Sequence, residues 1–144
     1  MSAELSPANL YVGCALTEAL GEFREEVEGF KDLLREQGHE VFDFVGLVNG
    51  TAADVYRWDI QHCVRDSDAL IAICDHPSTG LGWELSEATR LGKSVLAVAH
   101  ERSNVTRLVL GAAAVEPNVH FRRYNQLSDL MPTVADMLQG RLSD

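Results

Sequence analysis

The segment LIAICDHPSTGLGWELSEATRL, residues 70–91, combines an apolar run, a polar loop and the start of a helix. Its first five residues are apolar without alternation, which is typical of a strand in a parallel sheet covered by helices on both faces. Asp75 ends this strand. The following loop, residues 76–82, leaves the carboxyl end of the strand, where open α/β sheets bind their ligands. The segment therefore predicts an α/β fold with a ligand crevice at this loop.

Two glycines and a glutamate give this loop its chemical character. Gly80 and Gly82 allow the backbone to turn sharply and to approach a small molecule closely. Glu84 is expected in the first turn of the next helix, where the partial positive charge of the helix terminus favours an ionised carboxylate. We therefore expect a negative group directed at the crevice.

The rest of the chain alternates strands and helices. Strands are predicted at residues 9–15, 39–45, 70–74, 94–99 and 119–122. Helices are predicted at residues 17–37, 51–67, 82–91, 105–114 and 126–138. Right-handed crossovers turn this order into a flavodoxin-like or Rossmann-like three-layer fold, with a five-stranded parallel sheet of order 2-1-3-4-5. In that order, the loops after the first and third strands flank one crevice.

Length, charge and cysteine content limit the possible functions. The 144 residues are assigned to one domain, with residues 1–8 as a lead-in and residues 139–144 as a tail. A net charge of −10 disfavours nucleic acid polymers and anionic membrane surfaces as partners. No apolar run approaches the roughly 18 residues that span a bilayer, and no targeting segment is expected. The three cysteines have no CxxC spacing, so we expect no disulfide framework, no metal and a cytoplasmic location.

Asp59 is the acid in the second predicted helix with the best position for chemistry. Three and four residues separate it from Tyr56 and Cys63, which belong to the apolar face of that helix, so its carboxylate can face the upper rim of the sheet. A solvated helix position is the competing interpretation. Asp66 and Asp68 remain alternatives, although both resemble charges at a helix end.

Three motifs carry a resemblance to a known family. These are YRWDIQHCVRDSDALIAI at residues 56–73, PSTGLGWEL at residues 77–85 and GKSVLAVAH at residues 92–100. Together they resemble the nucleoside 2-deoxyribosyltransferase family, including its branch of deoxynucleoside 5′-monophosphate N-glycosidases. The resemblance covers residues 9–114 and implies cleavage or transfer at the N-glycosidic bond of a nucleoside or nucleotide.

The resemblance implies a role for several residues. Glu84 corresponds to the family's nucleophile, and Asp59 to the assisting acid. Ser78, with Gly80, corresponds to the group that holds a hydroxyl or phosphate. The residue types suit the reaction, because a carboxylate stabilises an oxocarbenium-like transition state and can bond to the anomeric carbon. From position alone, Glu84 could instead only complement the helix dipole, and Ser78 could only cap a turn.

Further candidate binding residues lie along the predicted crevice. Gly13 thins the backbone near the end of the first strand, and Cys14 follows it. His76 could contact a base, although a loop histidine is more often structural. Trp83 could stack on a base or cover the sheet. Cys14 could also be a small buried hydrophobic residue.

The family resemblance also implies an oligomer and shows a departure. In the family, a neighbouring subunit completes the site through the segment after the fourth strand, here residues 103–109. We therefore expect a homodimer or higher even oligomer in which Asn104 and Thr106 contribute. The glycosidase branch has a Ser and an Arg that grip the 5′-phosphate, whereas Ala15 and Thr17 match those positions here. We therefore expect a phosphate to add little to substrate binding.

Two other functions use a similar fold. A non-catalytic nucleotide-binding or sensor module would use the same crevice, because the fold does not decide the function. A phosphorelay acceptor would need clustered acids at the exit of the first strand. That exit is GCALTE, residues 13–18, and it contains only Glu18. The acceptor function is therefore the least favoured.

Overall fold

The apolar runs of the sequence pair into one parallel sheet in the computed structural model, which describes residues 6–15, 21–43 and 50–142. The strands are β1 (Asn9–Cys14), β2 (Glu40–Phe42), β3 (Ala69–Ile73), β4 (Ser94–His100) and β5 (Val119–Tyr124). Their order is β2-β1-β3-β4-β5, and every neighbouring pair is parallel. The predicted order 2-1-3-4-5 is therefore confirmed.

Helices cover both faces of this sheet, as a parallel sheet requires. They are α1 (Gly21–Glu36), α2 (Ala52–Trp58), a π-helix (Asp59–Val64), α3 (Thr79–Arg90), α4 (Arg107–Val115), a 3₁₀ turn (Leu127–Leu130) and α5 (Met131–Leu138). One core cluster joins α1 and α5 to the sheet, and the other joins the π-helix and α3 to its opposite face. Leu10 and Val12 of β1 belong to the first cluster and Tyr11 to the second, as the alternation of side chains along a strand dictates.

Glycines end two of the helices as the sequence predicts. Gly38 follows α1 with a φ of 97°, and Gly92 follows α3 with a φ of 73°. Residues with a side chain rarely adopt this left-handed conformation, so glycine favours the helix end here. Among the described ranges, no helix is long and apolar enough to cross a membrane.

Three predicted helices differ from those observed. The helix after β3 begins at Thr79 rather than at Gly82, because Ser78 caps it by accepting a hydrogen bond from Leu81 N at 3.1 Å. The second predicted helix begins at its Thr51 cap as expected, but it continues from Asp59 as a π-helix. The closing helix consists of the 3₁₀ turn followed by α5.

Two predicted boundaries fall on residues that the structure does not describe. The predicted start of the first helix at Thr17 lies in residues 16–20, and the described part of that helix begins at Gly21. The predicted end of the second strand lies in residues 44–49, and the described strand is Glu40–Phe42.

Candidate active site

A cavity of about 640 Å³ lies at the carboxyl ends of β1 and β3, where the strand order reverses. This is the position at which doubly wound sheets bind ligands. The loop after β3, the start of α3, α2 and the π-helix supply the rest of its wall. Its lining residues are Tyr11, Cys14, Ala52, Val55, Tyr56, Asp59, Ile60, Pro77, Ser78, Thr79, Gly80, Leu81, Trp83 and Glu84.

Glu84 is a buried carboxyl group in this lining, with 6% of its surface exposed. Its Oε2 accepts a hydrogen bond from the hydroxyl of Tyr11 at 2.5 Å. Because α3 begins at Thr79, Glu84 lies in the second turn of the helix, and the expectation of a first-turn position is wrong. The helix terminus is therefore not the dominant influence on its ionisation.

Burial instead raises the pKa of Glu84 to about 7 from its usual 4.5. The hydrogen bond from Tyr11 opposes this shift, since it favours the carboxylate, whereas the charge of Asp59 adds to it. The same burial, together with Glu84 and Asp59, raises the pKa of Tyr11, so Tyr11 remains a hydrogen-bond donor at neutral pH. The pair thus consists of a phenol that keeps its proton and a carboxyl group that exchanges one near neutrality.

Gly13 follows Tyr11 by two residues on β1, so the two positions lie on the same face of the sheet. A Cβ atom at this position would lie 2.9 Å from Leu81 Cδ1 and 3.1 Å from Glu84 Oε1. Contacts this short are not tolerated without movement of the neighbouring side chains. Gly13 therefore leaves room for Glu84, although it does not itself line the cavity.

Asp59 shares the cavity with Glu84, whereas the two alternative acids do not. It is the first residue of the π-helix and is half-buried. Asp66 contacts His62 Nδ1 at 2.6 Å, and Asp68 accepts a hydrogen bond from Asn9 N at 2.8 Å. Of the three acids, Asp59 is thus the one placed near Glu84.

The glycine-containing loop contributes one wall of the cavity. Ser78 and Gly80 both line it, and the Ser78 hydroxyl caps α3, as the competing interpretation of this residue predicts. Gly82 lies in the first turn of α3, is exposed and does not line the cavity.

Three other candidates take different positions. Cys14 lines the cavity as a half-buried thiol, and burial raises its pKa. Trp83 lines the cavity with 64% of its surface exposed, so it does not cover the sheet. His76 packs edge-on against Phe23, with ring centroids 5.0 Å apart, and does not line the cavity.

The segment after β4 lies outside the cavity lining. Asn104 and Thr106 are both exposed, and Thr106 caps α4 by accepting a hydrogen bond from Leu108 N at 3.3 Å. Within one chain the structure therefore does not bring these two residues to Glu84.

Comparison with known proteins identifies the family. No family model matches the sequence. A Syntrophotalea carbinolica protein named "Putative 2′-deoxynucleoside 5′-phosphate N-hydrolase 1" is 32% identical over 122 residues, which cover 82% of this chain and 81% of that protein. The chain belongs to this N-hydrolase family. The resemblance inferred from the three motifs is confirmed.

Two solved structures share the fold of this N-hydrolase family member. A CMP N-glycosidase from Clostridium botulinum superposes with a TM-score of 0.66 and 20% identity, covering 88% of this chain and 97% of its own. A 2-deoxyribosyltransferase from Leishmania mexicana superposes with a TM-score of 0.65 and 14% identity, covering 90% of this chain and 98% of its own. At these identities the likeness shows the shared fold.

Two residues that line this cavity are not identified by the sequence analysis. Tyr11 resembles a core residue and is 2% exposed, but its hydroxyl reaches Glu84, 73 positions along the chain. A tyrosine in an otherwise apolar buried strand is the available signal, since a buried phenol needs a partner. Tyr56 was assigned to the apolar helix face, but it is 44% exposed at the cavity.

Proposed function

We propose that this family member cleaves or transfers the N-glycosidic bond of a nucleoside or nucleotide with Glu84 as the covalent nucleophile. Family membership supports the reaction class. One observation carries the assignment of Glu84: it is a buried carboxyl group, fixed by the Tyr11 hydroxyl at 2.5 Å, in a cavity shared with a second acid. A carboxylate in this setting is suited to attack the anomeric carbon of a sugar.

In the first step, the ionised Glu84 forms a bond to the anomeric carbon while the carbon–nitrogen bond breaks. The bonding electrons leave with the base, and a base that is uncharged in the nucleoside takes up a proton as it leaves. We assign Asp59, the second acid in the cavity, either to this proton transfer or to a hydrogen bond with a sugar hydroxyl. Tyr11 limits the rotation of the Glu84 carboxyl group through its hydrogen bond.

In the second step, water or another base attacks the anomeric carbon of the glycosyl ester and gives up a proton to Asp59. The ester bond breaks, Glu84 regains its carboxylate, and the product is a free sugar or a new nucleoside. The same residues serve the hydrolase and the transferase, because only the acceptor differs. Product analysis distinguishes the two acceptors.

The assignment of Glu84 predicts how activity depends on pH. Glu84 must be ionised to attack, and its pKa is about 7. The active fraction therefore rises as the pH increases through neutrality. We expect kcat/KM for base release to increase through about pH 7 on the acidic limb of the profile.

A second copy of the chain is proposed to cover α4. This helix has no buried residue, and Leu108 and Val115 are 81% and 78% exposed. Exposed apolar surface of this kind favours a homodimer or higher even oligomer. In such an assembly, Asn104 and Thr106 are proposed to complete the site of a neighbouring subunit.

A cytoplasmic location is also proposed. It rests on the three free cysteines, Cys14, Cys63 and Cys74.

The test of the reaction is an incubation with a panel of nucleosides and 5′-monophosphates, with and without an acceptor base, followed by chromatography. Glu84→Gln is expected to abolish base release, since a neutral amide cannot act as the nucleophile. Glu87→Gln is the matched control on the same helix, because Glu87 pairs with Arg65 at 3.2 Å and does not line the cavity. Near-normal turnover by Glu84→Gln would show that the nucleophile is another group.

A further inference from the structure

Two exposed aromatic rings line the mouth of the active-site cavity. Trp83 of α3 is 64% exposed, and Tyr56 of α2 is 44% exposed. Large aromatic side chains normally bury most of their surface, so two exposed rings on one cavity suggest a surface for a flat ligand. Trp83 and Glu84 both line this cavity, so a ring stacked on Trp83 would share the cavity with the proposed nucleophile.

The charged side chains among the described lining residues of this cavity are all acidic. The lining includes Asp59 and Glu84 but no lysine, arginine or histidine. The whole chain carries a net charge of −10. The negative charge of these side chains attracts a cation.

Aromatic faces and carboxylates favour the same kind of ligand. The face of an aromatic ring carries negative partial charge and attracts a cation, and tryptophan does so most strongly. A base that is both flat and positively charged would therefore interact favourably with Trp83, Tyr56 and the two acids together.

We propose that Trp83 and Tyr56 form the base-binding surface of this site and that it selects nucleosides with a cationic heterocyclic base of the pyridinium class. This inference rests on the proposed function and specifies its substrate. In such a nucleoside, the electrons of the breaking carbon–nitrogen bond neutralise the positive ring nitrogen. The base then leaves as a neutral molecule, and no proton donor is needed for it.

The test compares two ring probes of the same shape that have no sugar to be cleaved. 1-Methylnicotinamide is a cation, and 3-methylbenzamide is its neutral counterpart. Calorimetry with the unmodified protein, above pH 7 so that Glu84 is ionised, measures both affinities. We expect the cation to bind at least about tenfold more tightly, a difference of about 1.4 kcal/mol, and the preference to decrease with added salt.

Two variants locate the binding surface. Trp83→Leu is expected to reduce the preference for the cation to below about threefold, because it removes the ring and keeps apolar bulk. Trp58→Phe is the matched control and should retain the preference for the cation, because Trp58 does not line the cavity. Its Nε1 instead donates a hydrogen bond to the backbone oxygen of Asp43 at 2.6 Å. In Trp58→Phe, Trp83 is the remaining tryptophan, so the cation should quench its fluorescence.

Several results would overturn this inference. They are equal affinities for the two probes, no binding of either probe up to its solubility limit, a cation preference that survives Trp83→Leu, or no quenching in Trp58→Phe. Base release by the unmodified protein and by Glu84→Gln is measured on the same preparations. If neutral nucleosides are cleaved and the probes show no charge preference, the substrate class fails while the proposed reaction stands. If the cation binds and no nucleoside is cleaved, the proposed reaction fails by itself.

Discussion

Replacing Glu84 with glutamine is expected to stabilise the fold at alkaline pH while it removes activity. Glu84 is 6% exposed, and its pKa is raised to about 7, chiefly by burial. Above this pH the folded protein must hold a buried negative charge, which disfavours the folded state. Glutamine has nearly the same shape, stays neutral and can still accept the hydrogen bond from Tyr11.

The magnitude follows from the difference between the folded and unfolded pKa values. The pKa is about 7 in the folded protein and 4.5 in the unfolded chain, a difference of about 2.5 pH units. The stability gained from the raised pKa is fully present below pH 4.5 and is lost as the pH rises through about 7. A difference of one pKa unit corresponds to about 1.36 kcal/mol. The free energy of unfolding of Glu84→Gln, measured relative to that of the unmodified protein, should therefore be about 3 kcal/mol higher above pH 8 than below pH 4.5.

Urea unfolding at about pH 4.5 and about pH 8.5, followed by circular dichroism, measures this gain. Glu87→Gln is the control. Because the ion pair between Glu87 and Arg65 is partly exposed, this substitution should change the free energy of unfolding by no more than about 1 kcal/mol at either pH. If Glu84→Gln were no more stable than the unmodified protein at the higher pH, or gained equally at both, the account of the buried carboxyl group would be refuted.

Three further predictions concern the site and the surface. Gly13→Ala should lower kcat/KM for base release by at least about tenfold while leaving the protein folded, because its Cβ would crowd Leu81 and Glu84; unchanged kinetics would contradict the close packing. Leu108→Glu should shift gel filtration toward the monomer, whereas the exposed Ser86→Glu on α3 should not; a parent protein that is already monomeric would exclude the assembly. A 5′-phosphate should add little to kcat/KM, because the described lining of the cavity contains no lysine, arginine or histidine; a monophosphate preference of about a hundredfold, near 2.7 kcal/mol, would contradict this expectation.

The fold could be predicted from the sequence because its signals are local. The apolar runs of β3 and β4 are buried along almost their whole length, so their lack of alternation correctly indicated strands covered on both faces. Val27, Phe30 and Leu34 of α1 recur at helical spacing and all lie in the core. The connections between parallel strands are short and right-handed, so only a few strand orders are then possible.

The details of the site depend on contacts that local patterns do not contain. The hydrogen bond from Tyr11 to Glu84 joins two elements 73 positions apart. The raised pKa of Glu84 follows from burial, whereas its place near a helix start suggested the opposite shift. A spacing of three and four residues placed Asp59 toward the cavity, but it cannot separate an α-helix from a six-residue π-helix.

The capping serine explains why the start of α3 was predicted too late. Glycines in the loop suggested irregular backbone as far as Gly82, but the Ser78 side chain satisfies Leu81 N and allows the helix to begin at Thr79. This shift of three residues moves Glu84 from the first turn to the second. A serine before a glycine-rich helix start is thus a stronger boundary signal than the glycines that follow it.

Covalent trapping tests the central claim, that Glu84 is the nucleophile, most directly. A nucleoside with fluorine at the sugar 2-position destabilises the oxocarbenium-like transition state and so slows breakdown of a glycosyl ester. Mass spectrometry of the intact protein and its peptides after incubation with a fluorinated nucleoside that it cleaves should show one added glycosyl group, on Glu84. Glu84→Gln should show no added mass under the same conditions. An adduct on any other residue, or steady cleavage of this nucleoside without an adduct, would contradict the mechanism.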